Sequence, residues 1–196
     1  MSHYFDERPG VASDLVVVDV VLADVAFTLA TDRGVFSHGH VDSGTLLLLQ
    51  QAPTPAATGD LLDLGCGAGP IAVALAKRSP AATVWAVDVN ERARDLTAAN
   101  AARNGLDNVR VVAPDGVPDE VVFSTIWSNP PIRIGKHALH DLLLAWLGRL
   151  APDGDAVLVV QKNLGADSLQ RWLGEHGHPT ERIASRAGFR LLRTTT

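Results

Sequence analysis

Three glycines at alternate positions, Gly65, Gly67 and Gly69, join a short apolar run, Leu61–Leu64, to a helix-patterned one, Ile71–Arg78. No other feature limits the fold as much. A chain that leaves a strand, turns sharply and enters a helix needs turn residues that tolerate φ > 0, and glycine does so without steric cost. The helix then points free N–H groups and the positive end of its dipole at whatever lies in the turn. A dinucleotide turn would need G-x-G-x-x-G, but here Pro70 holds the sixth place, which argues against NAD. Asp63 argues the same way: a carboxylate so near the turn offers nothing to a pyrophosphate and suits a cationic ligand with an amino-acid end.

From Asp60 onward strand and helix patterns alternate. Strands are expected at Leu61–Leu64, Thr83–Val87, Val109–Val112, Val121–Trp127 and Ala156–Gln161. Helices are expected at Ile71–Arg78, Glu91–Asn104, Ala138–Leu150 and Ser168–His176, with a turn at Pro152-Asp153-Gly154. Glu181–Ser185 and Phe189–Thr194 form a closing strand pair. Such alternation predicts parallel pairing with right-handed crossovers, hence an α/β, doubly wound sheet. Before it, the Val-rich residues 11–35 read as a β-hairpin with its turn near Asp32-Arg33-Gly34. Asp42, Ser43 and Thr45 offer N-caps for a helix through Leu46–Gln51, which Pro53 and Pro55 stop. Residues 1–51 are thus expected as a hairpin-and-helix extension packed on a single globular unit, 52–196.

A chain of 196 residues, 46% of them hydrophobic, can bury one substantial core. Asp19 and Asp24 interrupt its most apolar stretch, so no membrane span is expected. No basic-then-apolar leader opens the chain, and a single cysteine, Cys66, fits a reducing cytosol; a cytoplasmic protein is expected. Net charge is −5, unevenly spread: residues 1–119 hold 8 Lys/Arg against 15 Asp/Glu, residues 120–196 hold 9 against 7. The second half is thereby compatible with a nucleic-acid face, though ordinary scatter would give the same figures. His137 and His140 lack the companions a metal needs, so no metal site is expected. Nothing near Cys66 marks it as a nucleophile, and Trp127, Trp146 and Trp172 read as packing residues.

Acids recur at successive strand ends, Asp63, Asp88 and Asp115, where ligands of open α/β sheets bind. A carboxylate at Asp88 suits two ribose hydroxyls, and Asp115 suits an adenine amino group. The fourth strand ends in Asn129-Pro130-Pro131. An amine conjugated to a base or amide is a poor nucleophile, and acceptors that hold its two N–H protons turn its lone pair outward. Asn129 supplies a side-chain oxygen, Pro130 a carbonyl, and the two prolines stiffen the loop. Beyond them Ile132 follows directly, and Arg133 and Lys136 offer contacts to substrate phosphates or serve only as a surface loop.

These pieces resemble the class I, Rossmann-like methyltransferases, and within them the methyltransferase small group. The match is carried by His3-Tyr4-Phe5, Gly34-Val35-Phe36-Ser37 with Asp42-Ser43-Gly44-Thr45, Asp63–Gly69, Val87-Asp88-Val89-Asn90, Asp115, Ser128–Pro131 and Gln161–Ala166. The resemblance implies a seven-stranded sheet in order 3-2-1-4-5-7-6 with strand 7 antiparallel. It implies S-adenosyl-L-methionine as donor, and as acceptor guanine N2 of ribosomal RNA, free or in a small-subunit particle. Asp63, Gly65 and Gly67 would contact the donor's methionine end, Asp88 its ribose and Asp115 its adenine, with Gly69, Asn90 and Asn129 completing the donor set. Asn129, Pro130 and Pro131 would form the catalytic loop, and Ile132, Arg133 and Lys136 the acceptor side. Many relatives carry an aromatic where this chain has Ile132. Methylation of a protein glutamine amide, or a binding module without turnover, stays open as an alternative.

Overall fold

The computed structural model describes residues 12–195; His3-Tyr4-Phe5 lies outside them. Two short strands, β1 (Val16–Val21) and β2 (Ala26–Thr31), pair antiparallel, Val16 opposite Thr31 and Val21 opposite Ala26. The hairpin is present, but its reversal falls ahead of the expected Asp32-Arg33-Gly34: the Leu22 N–H donates to the Val25 carbonyl at 2.9 Å. Asp32 instead closes the far end of the pair, accepting from the Ser13 hydroxyl and the N–H groups of Asp14 and Arg33. Helix α1 (Ser43–Gln51) follows, three residues earlier than its apolar run suggested, because Asp42 caps it.

The main sheet holds β3 (Thr58–Leu64), β4 (Ala81–Val87), β5 (Val109–Val112), β6 (Phe123–Ser128), β7 (Leu150–Gln161), β8 (Thr180–Arg186) and β9 (Phe189–Thr195). Its spatial order is β5-β4-β3-β6-β7-β9-β8. Counted within the sheet alone, that is 3-2-1-4-5-7-6, and the last strand runs antiparallel to both neighbours. The crossovers are α2 (Pro70–Arg78), α3 (Glu91–Arg103), α4 (Lys136–Leu147) and α5 (Ala166–Glu175). The turn expected at Pro152-Asp153-Gly154 lies inside β7, as an irregularity between the pairs Phe123–Leu150 and Thr125–Asp155. A Cβ on Gly154 would come within 2.8 Å of the Phe123 carbonyl, so glycine lets the bulged strand stay in the sheet rather than leave it.

Each sheet face buries its own cluster. Leu61, Val84, Trp127, Val157 and Leu191 pack against α1, α2 and the hairpin residues Phe27 and Leu29. Leu62, Trp85, Ile126, Leu158 and Leu192 pack against α4 and α5. Alternate residues along one strand serve opposite faces, as the pleat requires. No helix among the described residues is long and apolar enough to cross a membrane.

Candidate active site

β3 and β6 are parallel neighbours with Leu64 opposite Ser128, and the Ser128 hydroxyl donates to the Leu64 carbonyl at 2.7 Å. The chain therefore leaves the sheet at adjacent points, through Gly65 from one strand and Asn129 from the other. Strands about 4.8 Å apart put these two exits side by side. Here the strand order also reverses, since β3 has β4 on one side and β6 on the other. A cavity of about 460 Å³ opens at this point. Gly65, Gly67, Asp88 and Asn90 line one part of its wall, and Asn129, Pro130, Pro131, Ile132 and Arg133 another. One site thus brings together the glycine turn and the Asn-Pro-Pro loop.

Four residues expected at the site are not on that wall. Asp63 is fully buried behind the turn, where Oδ2 accepts from the Ala72 N–H at 2.8 Å. It caps the third residue of α2, a service that Gly69, the N-cap position, has no side chain to give. Gly69 is pressed against α3: a Cβ there would lie 2.9 Å from Thr97. Pro70, the residue that broke the dinucleotide pattern, starts α2, where a missing N–H costs nothing. Asp115 sits on an exposed one-turn 3-10 helix, and its neighbour Pro114 reaches the cavity in its place. Lys136 begins α4 and is exposed beyond the wall, carried there by Gly135 at φ +100°.

Gly65 and Gly67 keep positive φ, and a Cβ on Gly65 would meet no atom within 4 Å. The turn therefore presents bare backbone to the cavity. It is braced from outside: the Thr97 hydroxyl donates to the Gly67 carbonyl and the Asn100 amide to the Ala68 carbonyl. Asp88, just past β4, ties that strand end to the glycine turn after β3, accepting from the Gly67 N–H at 2.9 Å and the Asn90 N–H at 2.9 Å. Asn90 itself is occupied as the cap of α3, accepting from Ala93 and donating to the Gly34 carbonyl. Burial raises the Asp88 pKa, against the pull of the Asn90 and Gly67 N–H groups. Burial also pushes Asp63 up to about 8; the Ala72 N–H works against this and the Asp88 charge adds to it. Asp63 Oδ1 has no hydrogen-bond partner. The Cys66 thiol is buried and raised well above its ordinary value by burial, then by Asp88 and Asp63, so it stays protonated and inert.

In the second loop, the Asn129 amide donates to Asp42 Oδ2 and to the Thr45 hydroxyl, each at 3.0 Å. The Pro130 carbonyl accepts from the Ile132 N–H at 2.8 Å, with Pro131 at φ −75°, ψ 71°. That tight turn uses one lone pair of the carbonyl and leaves the other. Among the described residues the wall between the two loops offers acceptors around bare backbone, and no activated nucleophile. Such a surface holds N–H, O–H and cationic groups in place; it does not attack them.

The methyltransferase small domain family matches residues 26–193. The chain belongs to that family. As a methyltransferase small domain protein it is 35% identical to an uncharacterized protein of Bacillus subtilis over 194 residues, 97% of this chain and 96% of that one. It is 38% identical to ribosomal RNA small subunit methyltransferase C of Pseudomonas aeruginosa over 177 residues, 87% of this chain and 51% of that one. The chain thus spans about half the length of the latter relative. Its fold superposes on the T. thermophilus 16S rRNA N2 methyltransferase, solved with AdoMet and guanosine. The TM-score is 0.77 at 22% identity, over 96% of this chain and 52% of that one. The Rossmann-like methyltransferase sheet is shared.

Within this methyltransferase fold, several wall and support residues were given no place at the site by the sequence reading, Phe36 and Gln161 among them although they carry the family match. Phe36, Trp146, Gln161 and Phe189 line the cavity, and Thr97 and Asn100 hold the turn from α3. Buried polar residues on a helix are a signal for such bracing, since each needs a partner; Thr97 and Asn100 lie in the expected helix Glu91–Asn104, to which no role at the site was given. Trp127 is in the core, Trp146 is buried while touching the cavity, and Trp172 stacks on His140 at 3.5 Å.

Proposed function

We propose that this chain transfers a methyl group from S-adenosylmethionine to an exocyclic amino group, with guanine N2 of ribosomal RNA as the acceptor. The observation that carries this is the single cavity walled by both Gly65–Gly67 and Asn129–Ile132. The donor fits its side of that cavity on two counts: bare backbone at Gly65 and the Asp88 carboxylate on the wall. S-adenosylmethionine, when bound, would supply a sulfonium methyl electrophilic enough to need no general base before transfer; S-adenosylhomocysteine would leave as the neutral thioether, and the surplus amine proton would pass to solvent afterwards. Asp88 retains lone pairs for the ribose hydroxyls after accepting its two N–H groups. Pro114 rather than Asp115 gives the adenine an apolar wall.

On the acceptor side, Asn129 takes one amine proton through Oδ1 and the Pro130 carbonyl takes the other through its remaining lone pair. Both protons held, the nitrogen lone pair turns toward the donor. Ile132 offers an apolar contact to the base. Arg133, exposed on the rim, suits a backbone phosphate, and Lys136 a phosphate farther out. The 38% identity to a ribosomal RNA methyltransferase supports RNA as the partner.

Purified protein with methyl-labelled S-adenosylmethionine should label RNA from total RNA or small ribosomal subunits. Label entering protein alone would move the acceptor to a glutamine amide, and label entering neither would sink the enzyme assignment. Asn129→Ala should lower kcat by about 10²-fold or more, the scale of a lost preorganised group, with donor affinity by calorimetry kept. Near-normal turnover in that variant would remove Asn129 from catalysis.

A further inference from the structure

The segment Asp42-Ser43-Gly44-Thr45 enters the site from more than 80 residues away in sequence, and the cavity chemistry above does not use it. We infer that Asp42 and Thr45 are positioning residues that fix the orientation of the Asn129 amide, an inference that rests on the amino-methylation proposed above. An asparagine side chain has two nearly isosteric ends, one donor and one acceptor. Turned one way it accepts from a substrate amine; turned the other it meets that amine donor to donor.

The surroundings decide between the two. Asp42 Oδ2 lies 3.0 Å from Asn129 Nδ2, and an ionised carboxylate only accepts. The Thr45 hydroxyl, on a residue only 3% exposed, takes the other N–H at 3.0 Å. Reversing the amide would set its oxygen against the carboxylate oxygen, a contact with no proton in it. With both N–H groups engaged, Oδ1 is the end left for the cavity that Asn129 lines.

Asp42 is itself held. The same Oδ2 accepts from the N–H groups of Gly44 at 2.8 Å and Thr45 at 3.2 Å as the cap of α1. The position of the pin is therefore set by a helix terminus rather than by a mobile side chain. Gly44 makes room for it: a Cβ there would lie 2.7 Å from the Phe189 ring and 2.9 Å from Asp42 Oδ2. Phe189 is on the cavity wall, so one turn of α1 both orients Asn129 and seats a wall aromatic.

Two variants separate the pin from the fold. Thr45→Val keeps shape and removes one acceptor. Asp42→Ser keeps a good helix cap but is an atom too short to reach Asn129. Each should lower kcat for RNA methylation about tenfold, the size of one lost hydrogen bond. KM for RNA and affinity for S-adenosylhomocysteine by calorimetry should stay within about twofold of wild type, a factor worth under half a kcal/mol. Thr45→Ser should restore kcat relative to Thr45→Val. Hydrogen exchange of the Asn129 side-chain amide, followed by NMR, should quicken in the two disrupting variants; this readout needs no acceptor. If wild type methylates no RNA, the proposed function falls while the amide exchange still decides the pin. Unchanged kcat and unchanged amide exchange in both variants would overturn it, as would losses that appear equally in donor affinity.

Discussion

Asp63 is a carboxyl group with no exposed surface, one oxygen bound to the Ala72 N–H and the other without a partner. Its pKa of about 8 means that the folded chain keeps a proton which the unfolded chain releases at about pH 4. Stability from this group is then fully present below about pH 4 and declines as pH rises, levelling beyond about 8. Each pH unit crossed costs up to about 1.4 kcal/mol. Asp63→Asn keeps an oxygen for Ala72 and removes the titration. Urea midpoints at pH 5, 6.5 and 8 should fall for wild type relative to the variant; parallel slopes would mean that the carboxyl is ionised throughout. Asp88 is shifted in the same direction, so the variant should keep some slope of its own. In the sequence Asp63 was legible as an acid beside a glycine turn. Its seat behind the turn was not, because which way a strand residue faces depends on what covers the sheet.

At the scale of elements, α3 does more than cross between strands. Asn100 accepts from the Ala30 N–H and donates to the Ala30 carbonyl, while Asn104, one helical turn on, does the same with Thr28. Two side chains four residues apart thus satisfy the strand edge that β1 leaves open, as a neighbouring strand would. Asn100 also holds the Ala68 carbonyl, so the hairpin and the glycine turn share one clamp. Asn100→Ala leaves buried backbone groups unpaired at both ends and should cost about 3 kcal/mol or more. Urea unfolding should show that loss, with faster hydrogen exchange at the Ala30 amide; a loss under about 1 kcal/mol would mean water replaces the clamp. The alternating β3-to-β7 pattern was readable because β3, β4, β6 and β7 carry continuous apolar runs buried in the sheet and glycine or asparagine marks the start of each helix between them. The hairpin reversal and the β7 bulge were misplaced for a shared reason: Asp32-Arg33-Gly34 and Pro152-Asp153-Gly154 have turn composition, but tertiary partners set their use.

Over the whole molecule, the hairpin residues Phe27 and Leu29 and the α1 residues Leu47–Leu49 pack in one cluster with α2 and the sheet. We propose that the described part of the extension, residues 12–51, is not a separate unit by energetics. Urea unfolding followed by tryptophan fluorescence and by far-UV circular dichroism should give coincident transitions. An early transition confined to one probe would show that part of the chain folds on its own.

The sequence by itself determined the alternating α/β pattern, the glycine turn and the Asn-Pro-Pro loop, since strand–helix alternation and special backbone angles are local properties written in residue type; the sheet order came from the family resemblance. Tertiary structure decided which side chains reach the cavity and which stand behind it. Asp42, Thr45 and Asn129 meet only after the chain has folded across more than 80 residues, and no local pattern records a contact that arises when α1 packs on the sheet.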